Sequence, residues 1–320
     1  MNNLTTIFPT ILWCLLIVGS VGLRDTYGSD PKESDKKPEG QEGLVGQYEI
    51  RIVTDLEYLG PNRNDRCDLY IPTDAAEVDR FPGIVIIHGG GWEGGDKSDD
   101  REKNIATTLA RHGYVCMSIN YVLAQQDRPA WPQSIYDCKT AVQFLRAHAD
   151  RYQIDRDHIG VIGGSAGGHL SAMVGLTGPE SGLDPPGPYK NVSSRVQAAV
   201  PMYGIHNLRT WRERAMVEKY LGAPEQEDPV RWDAASPINQ ASVDDPPMLL
   251  LHGSADKGVP DSQSIELHKT LVKIGVESRL VIVEGAPHGF HLQPEQRDLR
   301  PLVVGFFDKH LKNQEETRKR

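Results

Sequence analysis

The chain has 320 residues, 38% of them hydrophobic, with a net charge of −9 and a pI of about 5.7. A chain of this length buries a large core, as one large α/β domain or two small ones. The acidic balance argues against a nucleic-acid partner, which would need a basic face, and it gives no support for docking on anionic membranes.

The first 23 residues are predicted to be a signal peptide. Residues 7–23 read IFPTILWCLLIVGSVGL, and no charged side chain precedes Arg24. An apolar run of this length is typical of a secretory signal, although no Lys or Arg stands before it. An uncleaved membrane anchor is the alternative, which Pro9 and Gly19 would weaken as a spanning helix. We therefore expect a secreted or periplasmic protein with no stable membrane contact after cleavage.

Residues 24–46 are polar and rich in Gly, Pro, Lys and Glu. A segment of this composition cannot bury enough apolar surface to fold, so it is predicted to be a disordered linker. The folded domain is accordingly expected to span residues 47–315.

Three cysteines follow the predicted signal peptide, namely Cys67, Cys116 and Cys138. Each falls in a predicted strand or helix, so buried apolar packing is its expected role. An odd number leaves at least one thiol free, and whether one pair forms a disulfide stays open. The sequence contains no C-x-x-C, H-E-x-x-H or calcium-loop pattern, so no metal or other cofactor is implied.

Apolar periodicity predicts alternating strands and helices. Strands are expected within 48–59, 66–72, 83–92, 114–121, 159–162, 196–204, 246–256 and 278–285. Helices are expected within 102–113, 132–152, 166–176, 261–274 and 299–312. The first two strands are predicted to form an antiparallel pair at the sheet edge. The remaining alternation predicts an α/β fold, with a mostly parallel central sheet and helices on both faces.

Residues 205–245 interrupt this alternation and are too long for an ordinary loop. The segment contains Trp211 and Trp232 together with several prolines. We predict a small cap inserted over the strand ends. A solvent-facing helical excursion is the alternative, and the two tryptophans could form a small core of their own.

Residues 160–170 read GVIGGSAGGHL, with Ser165 between glycines directly after an apolar strand. A serine at the tip of a sharp strand-to-helix turn needs glycine two positions before and two after it, because the turn leaves no room for side chains there. Gly163 and Gly167 meet this requirement. Ser165 is therefore a candidate nucleophile, whereas a chance serine in a glycine-rich turn is the alternative.

A serine hydroxyl needs an adjacent base, and in this type of fold the chain order is serine, acid, histidine. Asp256 ends the segment 246–256, just beyond its apolar run, and is the preferred acid. Asp261 is the competitor, although it is expected to cap the next helix. Loops after parallel strands share one edge of the sheet, where such folds place their catalytic groups.

His288 follows the strand of residues 278–285 and is the preferred base, with His291 in reserve. His169 and His252 are expected to be wall or core histidines, since packing histidines are the commoner case.

Residues 88–92 read HGGGW and follow a buried strand. Glycines let backbone amides approach a substrate oxygen, so Gly90 and Gly91, with Ala166 after the candidate nucleophile, are predicted oxyanion donors. His88 is expected to hold the loop through hydrogen bonds, and Trp92 to line the substrate pocket or brace the loop. The loop lacks the glycine spacing and lysine of phosphate-binding motifs.

Four motifs in order, HGGGW, GGSAGGHL, HGSADKGVP and PHGF, resemble those of α/β-hydrolase esterases over residues 48–312. The likeness is strongest to the hormone-sensitive-lipase-like group and to the bacterial acetylxylan/feruloyl-esterase-like group. The resemblance implies an α/β-hydrolase fold, a triad of Ser165, Asp256 and His288, and an oxyanion hole of Gly90, Gly91 and Ala166.

Two departures favour the second group and a more open site. Gly164 stands where the hormone-sensitive-lipase-like group usually has aspartate, and the segment before residue 48 is too polar for that group's helical N-terminal cap. The resemblance thus implies a serine carboxylic-ester hydrolase removing acetyl or feruloyl groups from polysaccharide. A general short-acyl carboxylesterase, an arylformamidase-like amidohydrolase and a non-catalytic binding protein of this fold are the alternatives. The oligomeric state stays open.

Overall fold

A computed structural model describes residue 1 and residues 48–73 and 80–312. The chain divides into two compact units, Met1–Gly43 and Leu44–Arg320, and every described residue except the first lies in the second unit. The predicted linker at 24–46 and, apart from residue 1, the predicted signal peptide at 1–23 lie outside the described residues.

The strands of the described chain form one eight-stranded sheet in the order β1-β2-β4-β3-β5-β6-β7-β8. They are β1 (Glu49–Glu57), β2 (Arg66–Thr73), β3 (Phe81–Ile87), β4 (Val115–Ile119), β5 (Ile154–Gly164), β6 (Ala198–Met202), β7 (Met248–Gly253) and β8 (Ser278–Val283). β1 and β2 are antiparallel to their neighbours at one edge, and β3 to β8 are parallel. The predicted α/β class and antiparallel edge pair are confirmed.

The described helices are α1 (Asp100–Arg111), α2 (Gln133–Ala147), α3 (Ala149–Tyr152), α4 (Ala166–Leu176), α5 (Arg214–Leu221), α6 (Pro229–Ala234), α7 (Ser262–Lys273) and α8 (Arg300–Leu311). Two short 3₁₀ helices span Pro179–Ser181 and Pro237–Asn239. The single helix predicted at 132–152 is in fact two, because the chain leaves helical geometry at His148, with φ −106° and ψ 21°.

The parallel strands β3, β4, β6 and β7 are buried along their whole length, which explains their nearly continuous apolar sequences. Along β3, Val85 and Ile87 join the core on one face of the sheet, and Ile84 and Ile86 join the core on the other. Successive side chains of a strand point to opposite faces, so one apolar strand contributes to both cores.

The cap segment, residues 205–245, carries α5, α6 and the second 3₁₀ helix. Its Trp232 has no exposed surface and its Trp211 is 6% exposed, and both belong to the larger core cluster of the main domain. The Nε1–H of Trp232 donates to the Ala223 carbonyl. The cap is therefore packed onto the domain, and its tryptophans do not form a separate core.

Cys67, Cys116 and Cys138 are free and buried. Burial raises the pKa of the Cys116 and Cys138 thiols well above the ordinary value, so these thiols stay protonated. Over residues 48–73 and 80–312, no helix is long and apolar enough to cross a membrane, and no His, Cys, Asp and Glu cluster could hold a metal ion.

Candidate active site

Ser165 lies at the sharp turn between β5 and α4, with φ 60° and ψ −121°. This backbone conformation is strained for a residue other than glycine. The flanking glycines permit it, because a Cβ on Gly163 would lie 2.5 Å from the Gly167 carbonyl oxygen. A Cβ on Gly167 would lie 2.0 Å from the Ile87 carbonyl oxygen. The turn therefore has the strand, serine and helix arrangement that the sequence predicts.

Three side chains from three different strand ends meet at this turn. The Oγ of Ser165 lies 2.9 Å from Nε2 of His288, and Nδ1 of His288 lies 2.6 Å from Oδ2 of Asp256. With Nδ1–H donating to the carboxylate, Nε2 of the neutral imidazole is left to accept the serine hydroxyl proton. The structure thus places together the three residues predicted as nucleophile, base and acid.

The Asp256 carboxylate is buried and held by several donors. Its Oδ1 accepts hydrogen bonds from the Gly258 and Val259 amides, both at 2.8 Å. Burial alone would raise its pKa, but the bonds from His252, His288 and the Val259 amide outweigh burial and hold the pKa well below its usual range. A carboxylate that stays ionised can orient His288 and stabilise its cation.

The reserve candidates lie elsewhere. Asp261 occupies the N-cap position of α7, without a capping hydrogen bond from its side chain, and His291 accepts a bond from the Gln293 amide at its Nδ1. His252 is buried, with Nδ1 2.8 Å from the Ser264 hydroxyl and Nε2 2.9 Å from the Val259 carbonyl. It therefore supports the loop that carries Asp256.

The glycine-rich loop after β3 packs directly against the Ser165 turn. A Cβ on Gly89 would lie 3.2 Å from the Cβ of Ser165. Gly90, with φ +106°, turns the loop, and within the described residues the Gly90 and Gly91 amides donate no backbone hydrogen bond. Ala166 is the first residue of α4, where amides lack an intrahelical acceptor. These amides are therefore available beside the serine hydroxyl.

The prediction that Trp92 lines the substrate pocket is wrong, because its side chain has no exposed surface. Its indole stacks on Tyr220 of the cap, with ring centroids 4.4 Å apart, and contacts Trp211 edge to face. Its Nε1–H donates to Nδ1 of His169, whose Nε2 lies 2.8 Å from the Ala235 carbonyl. Trp92 thus braces the glycine-rich loop, which was the other role expected of it.

His88 holds the same loop from below. Its Nδ1 lies 2.7 Å from the Gly89 carbonyl, and its ring stacks on Tyr121 at a centroid distance of 4.4 Å. The Tyr121 hydroxyl donates to the His88 carbonyl. The hydrogen-bonding role expected of His88 is therefore present.

The cap contacts both loops of the site. The partly buried Met216 of α5 lies against Gly91, where its Sδ would be 2.8 Å from a Cβ. Trp211 donates its Nε1–H to the carbonyl of Gly258, and a Cβ on Gly258 would lie 3.4 Å from the His288 ring. The cap is therefore in contact with the glycine-rich loop and with the loop that carries Asp256.

Sequence reasoning missed Tyr203, which lies directly beneath His288. Its ring is fully buried and lies 5.0 Å from the His288 ring between centroids, at 68°. It also fills the space beside Gly164, where a Cβ would lie 2.6 Å from the Tyr203 Oη. The available signal was its position near the carboxyl end of the strand predicted at 196–204, the end of the sheet at which the candidate acid and base also lie.

The BD-FAE family model matches residues 67–271 of the chain. Among curated relatives, the probable carboxylic ester hydrolase LipM of Mycobacterium tuberculosis is 33% identical over 221 residues, covering 66% of this chain and 49% of LipM. The chain spans about half the length of the curated relatives it matches.

Solved structures show the same architecture. A truncated carbohydrate esterase from gut microbiota superimposes with a TM-score of 0.75 at 26% identity, covering 84% of this chain and 98% of that one. An acetyl ester-xyloside bifunctional hydrolase from Caldicellulosiruptor lactoaceticus gives a TM-score of 0.69 at 26% identity, covering 83% and 98%. The chain belongs to the BD-FAE family and has the α/β-hydrolase fold.

Proposed function

We propose that the chain is a serine carboxylic-ester hydrolase that removes acetyl or feruloyl groups from polysaccharide. The observation that carries this proposal is the relay from Ser165 Oγ to His288 Nε2 at 2.9 Å and from His288 Nδ1 to Asp256 Oδ2 at 2.6 Å. Both distances fall within hydrogen-bond reach, which is the first requirement of an activated serine.

In the proposed acylation step, His288 Nε2 takes the proton of Ser165 as Oγ attacks the ester carbonyl carbon. The resulting oxyanion is held by the amides of Gly90, Gly91 and Ala166. The tetrahedral intermediate then collapses, the carbon–oxygen bond to the alcohol breaks, and His288 gives its proton to the departing oxygen.

Deacylation repeats these transfers with water. His288 removes a proton from water, the hydroxide oxygen attacks the acyl carbonyl, and Ser165 leaves and recovers its proton. Throughout both steps the ionised Asp256 carboxylate orients the imidazole and stabilises its cation.

The polysaccharide part of the proposal is supported by two structural neighbours, one named as a carbohydrate esterase and the other as an acetyl ester-xyloside hydrolase. The His288 side chain is 31% exposed, so the histidine that protonates the departing alcohol is open to solvent, as a bulky polysaccharide alcohol requires. The bond that is cleaved is the ester between the acyl group and a sugar hydroxyl. None of the proposed steps uses a cofactor.

The test is a panel of p-nitrophenyl acetate, butyrate and octanoate, methyl ferulate and acetylated xylan, with Ser165→Ala as the blank. Release of acetate from acetylated xylan, or rapid cleavage of methyl ferulate, supports the polysaccharide assignment. Turnover of p-nitrophenyl esters with xylan and ferulate untouched contradicts it.

A general short-acyl carboxylesterase is the second candidate. Its support is the likeness to LipM, whose name gives a carboxylic ester hydrolase and no carbohydrate. Preference for butyrate over acetate in the same panel, with xylan untouched, would favour this candidate.

We also propose that residues 1–23 direct the protein to the periplasm or outside the cell and are then removed. The apolar run at residues 7–23 supports this proposal. N-terminal sequencing of the protein recovered from medium or periplasm tests it, and an intact N-terminus on protein found within the cell contradicts it.

A further inference from the structure

Tyr203 is fully buried and contacts both the strand that leads to Asp256 and the loop that carries His288. It directly follows β6, and its amide donates to the Leu251 carbonyl of β7, the strand that leads to Asp256. Its ring packs on the rings of His288 and Phe290, with centroid distances of 5.0 and 4.6 Å. The residue thus lies between the loop of the acid and the loop of the base.

The Tyr203 backbone is strained, with φ 38°, which is rare for an aromatic residue. A residue in this region costs about 1–3 kcal/mol and persists only where its surroundings enforce it. Strain of this kind concentrates at functional sites, as it does at Ser165 of the same site.

The Tyr203 hydroxyl holds the loop that carries His288. Its Oη donates to the Phe290 carbonyl at 2.6 Å. Gly289 lies between His288 and Phe290, and a Cβ there would meet no atom within 4 Å. Among the hydrogen bonds of the described residues, the bond from Tyr203 is the first that holds the chain after His288.

Arg101 fixes the direction of this hydroxyl bond. Its Nη1 donates to the Tyr203 Oη at 3.4 Å, and Arg101 is itself held by two bonds to the fully buried Glu102 carboxylate, at 2.6 and 2.8 Å. Since a guanidinium only donates, the tyrosine proton is committed to Phe290. Burial raises the pKa of Tyr203 to about 12, so the phenol keeps this proton at neutral pH.

Gly164 makes room for this arrangement. A Cβ there would lie 2.6 Å from Oη and 2.9 Å from two ring carbons of Tyr203. In this chain the tyrosine ring fills the space that a side chain at position 164 would need. The tyrosine ring can occupy this position only because residue 164 has no side chain.

We infer that Tyr203, fixed by the Arg101–Glu102 pair, is a positioning residue that holds His288 at hydrogen-bond distance from Ser165. This inference rests on the proposed function. Tyr203 touches no reacting atom, and its effect passes through the Phe290 carbonyl to the histidine loop. Misplacing a catalytic group by about 1 Å can lower the rate about 100-fold. Loss of the Tyr203–Phe290 hydrogen bond should therefore lower kcat rather than raise KM.

The test compares Tyr203→Phe with Tyr114→Phe. Each variant loses one buried tyrosine hydroxyl with a 2.6 Å bond, but Tyr114 lies at the amino end of β4, whereas the site lies at the carboxyl ends of the parallel strands, and Tyr114 donates to Asp308. For each variant we would measure kcat and KM on p-nitrophenyl acetate and the Tm. Rates are counted per serine labelled by a fluorophosphonate, so that unfolded protein does not enter them.

We expect Tyr203→Phe to lower kcat per labelled site at least tenfold with KM within twofold, and Tyr114→Phe to keep wild-type kcat at a similar Tm. Equal kcat in the two variants, or a change in KM alone, would overturn the inference while Ser165-dependent turnover in the wild type upheld the proposed function. A wild type without Ser165-dependent turnover would overturn both.

Discussion

Replacing Gly167 with alanine tests whether the turn at Ser165 depends on close backbone approach. The new Cβ would lie 2.0 Å from the Ile87 carbonyl oxygen and 2.6 Å from the His88 carbonyl oxygen. Both neighbours are main-chain atoms of the β3 end and the glycine-rich loop, so no side-chain rotation relieves the contact. The turn must move by about 1 Å or more, away from the loop that carries the oxyanion donors.

The expected cost of this overpacking is about 1–3 kcal/mol of unfolding free energy, together with about a 100-fold loss of kcat/KM. Gly305→Ala is the matched control, because Gly305 lies inside α8 and a Cβ there meets no atom within 4 Å. Alanine in a helix interior is favoured over glycine by about 0.5–1 kcal/mol, so this control should keep full activity and gain stability.

The assay is urea unfolding together with kcat/KM on p-nitrophenyl acetate for both variants. Wild-type kcat/KM and stability in Gly167→Ala would refute the reasoning about the turn. A Gly305→Ala variant as damaged as Gly167→Ala would show that the loss is not specific to the turn.

Three further predictions concern the acid, the cap and pH. Asp256→Asn should preserve the fold but lower kcat about 10⁴-fold, because the amide no longer selects the Nδ1–H tautomer of His288; a kcat within tenfold of wild type would contradict this. Met216→Ala should raise the ratio of kcat/KM for butyrate to kcat/KM for acetate about tenfold, because the space freed beside Gly91 would bury the two additional methylenes of butyrate. An unchanged ratio would show that Met216 does not bound the acyl site. Burial lowers the pKa of His169 to about 4 from 6.5, so the unfolded chain takes up a proton first on acidification. The contribution of His169 to stability should therefore fall by about 3 kcal/mol between pH 6.5 and 4, and urea unfolding should show a fall smaller by about this amount in His169→Gln. Equal falls in the two proteins would contradict this assignment.

The sheet and the meeting of Ser165, Asp256 and His288 could be predicted because both follow from local patterns. Ser165 directly follows β5, and Asp256 and His288 lie in the loops after β7 and β8, so all three lie at the carboxyl ends of parallel strands. The predicted fold class, which is confirmed, therefore implied that the three candidate residues lie close together. Their chemical roles stay predictions.

The surroundings of the site could not be predicted, because they depend on contacts between distant parts of the chain. Trp92 was expected either at the pocket wall or bracing the loop, and it is fully buried, with Tyr220 and Trp211 of the cap against its ring. No periodicity marks Tyr203, whose importance arises from Phe290 and Arg101 lying within reach of its hydroxyl. Boundaries such as the break at His148 are likewise set by local geometry that propensity does not resolve.

The central claim is that Ser165 is a nucleophile activated by His288. The most direct measurement is fluorophosphonate labelling followed by peptide mass analysis, on the wild type, Ser165→Ala and His288→Ala, with p-nitrophenyl acetate turnover measured in parallel. The account predicts a single adduct on the Ser165 peptide of the wild type, no adduct at that position in Ser165→Ala, and little turnover in either variant. An adduct elsewhere, or near-wild-type turnover in either folded variant, would contradict it.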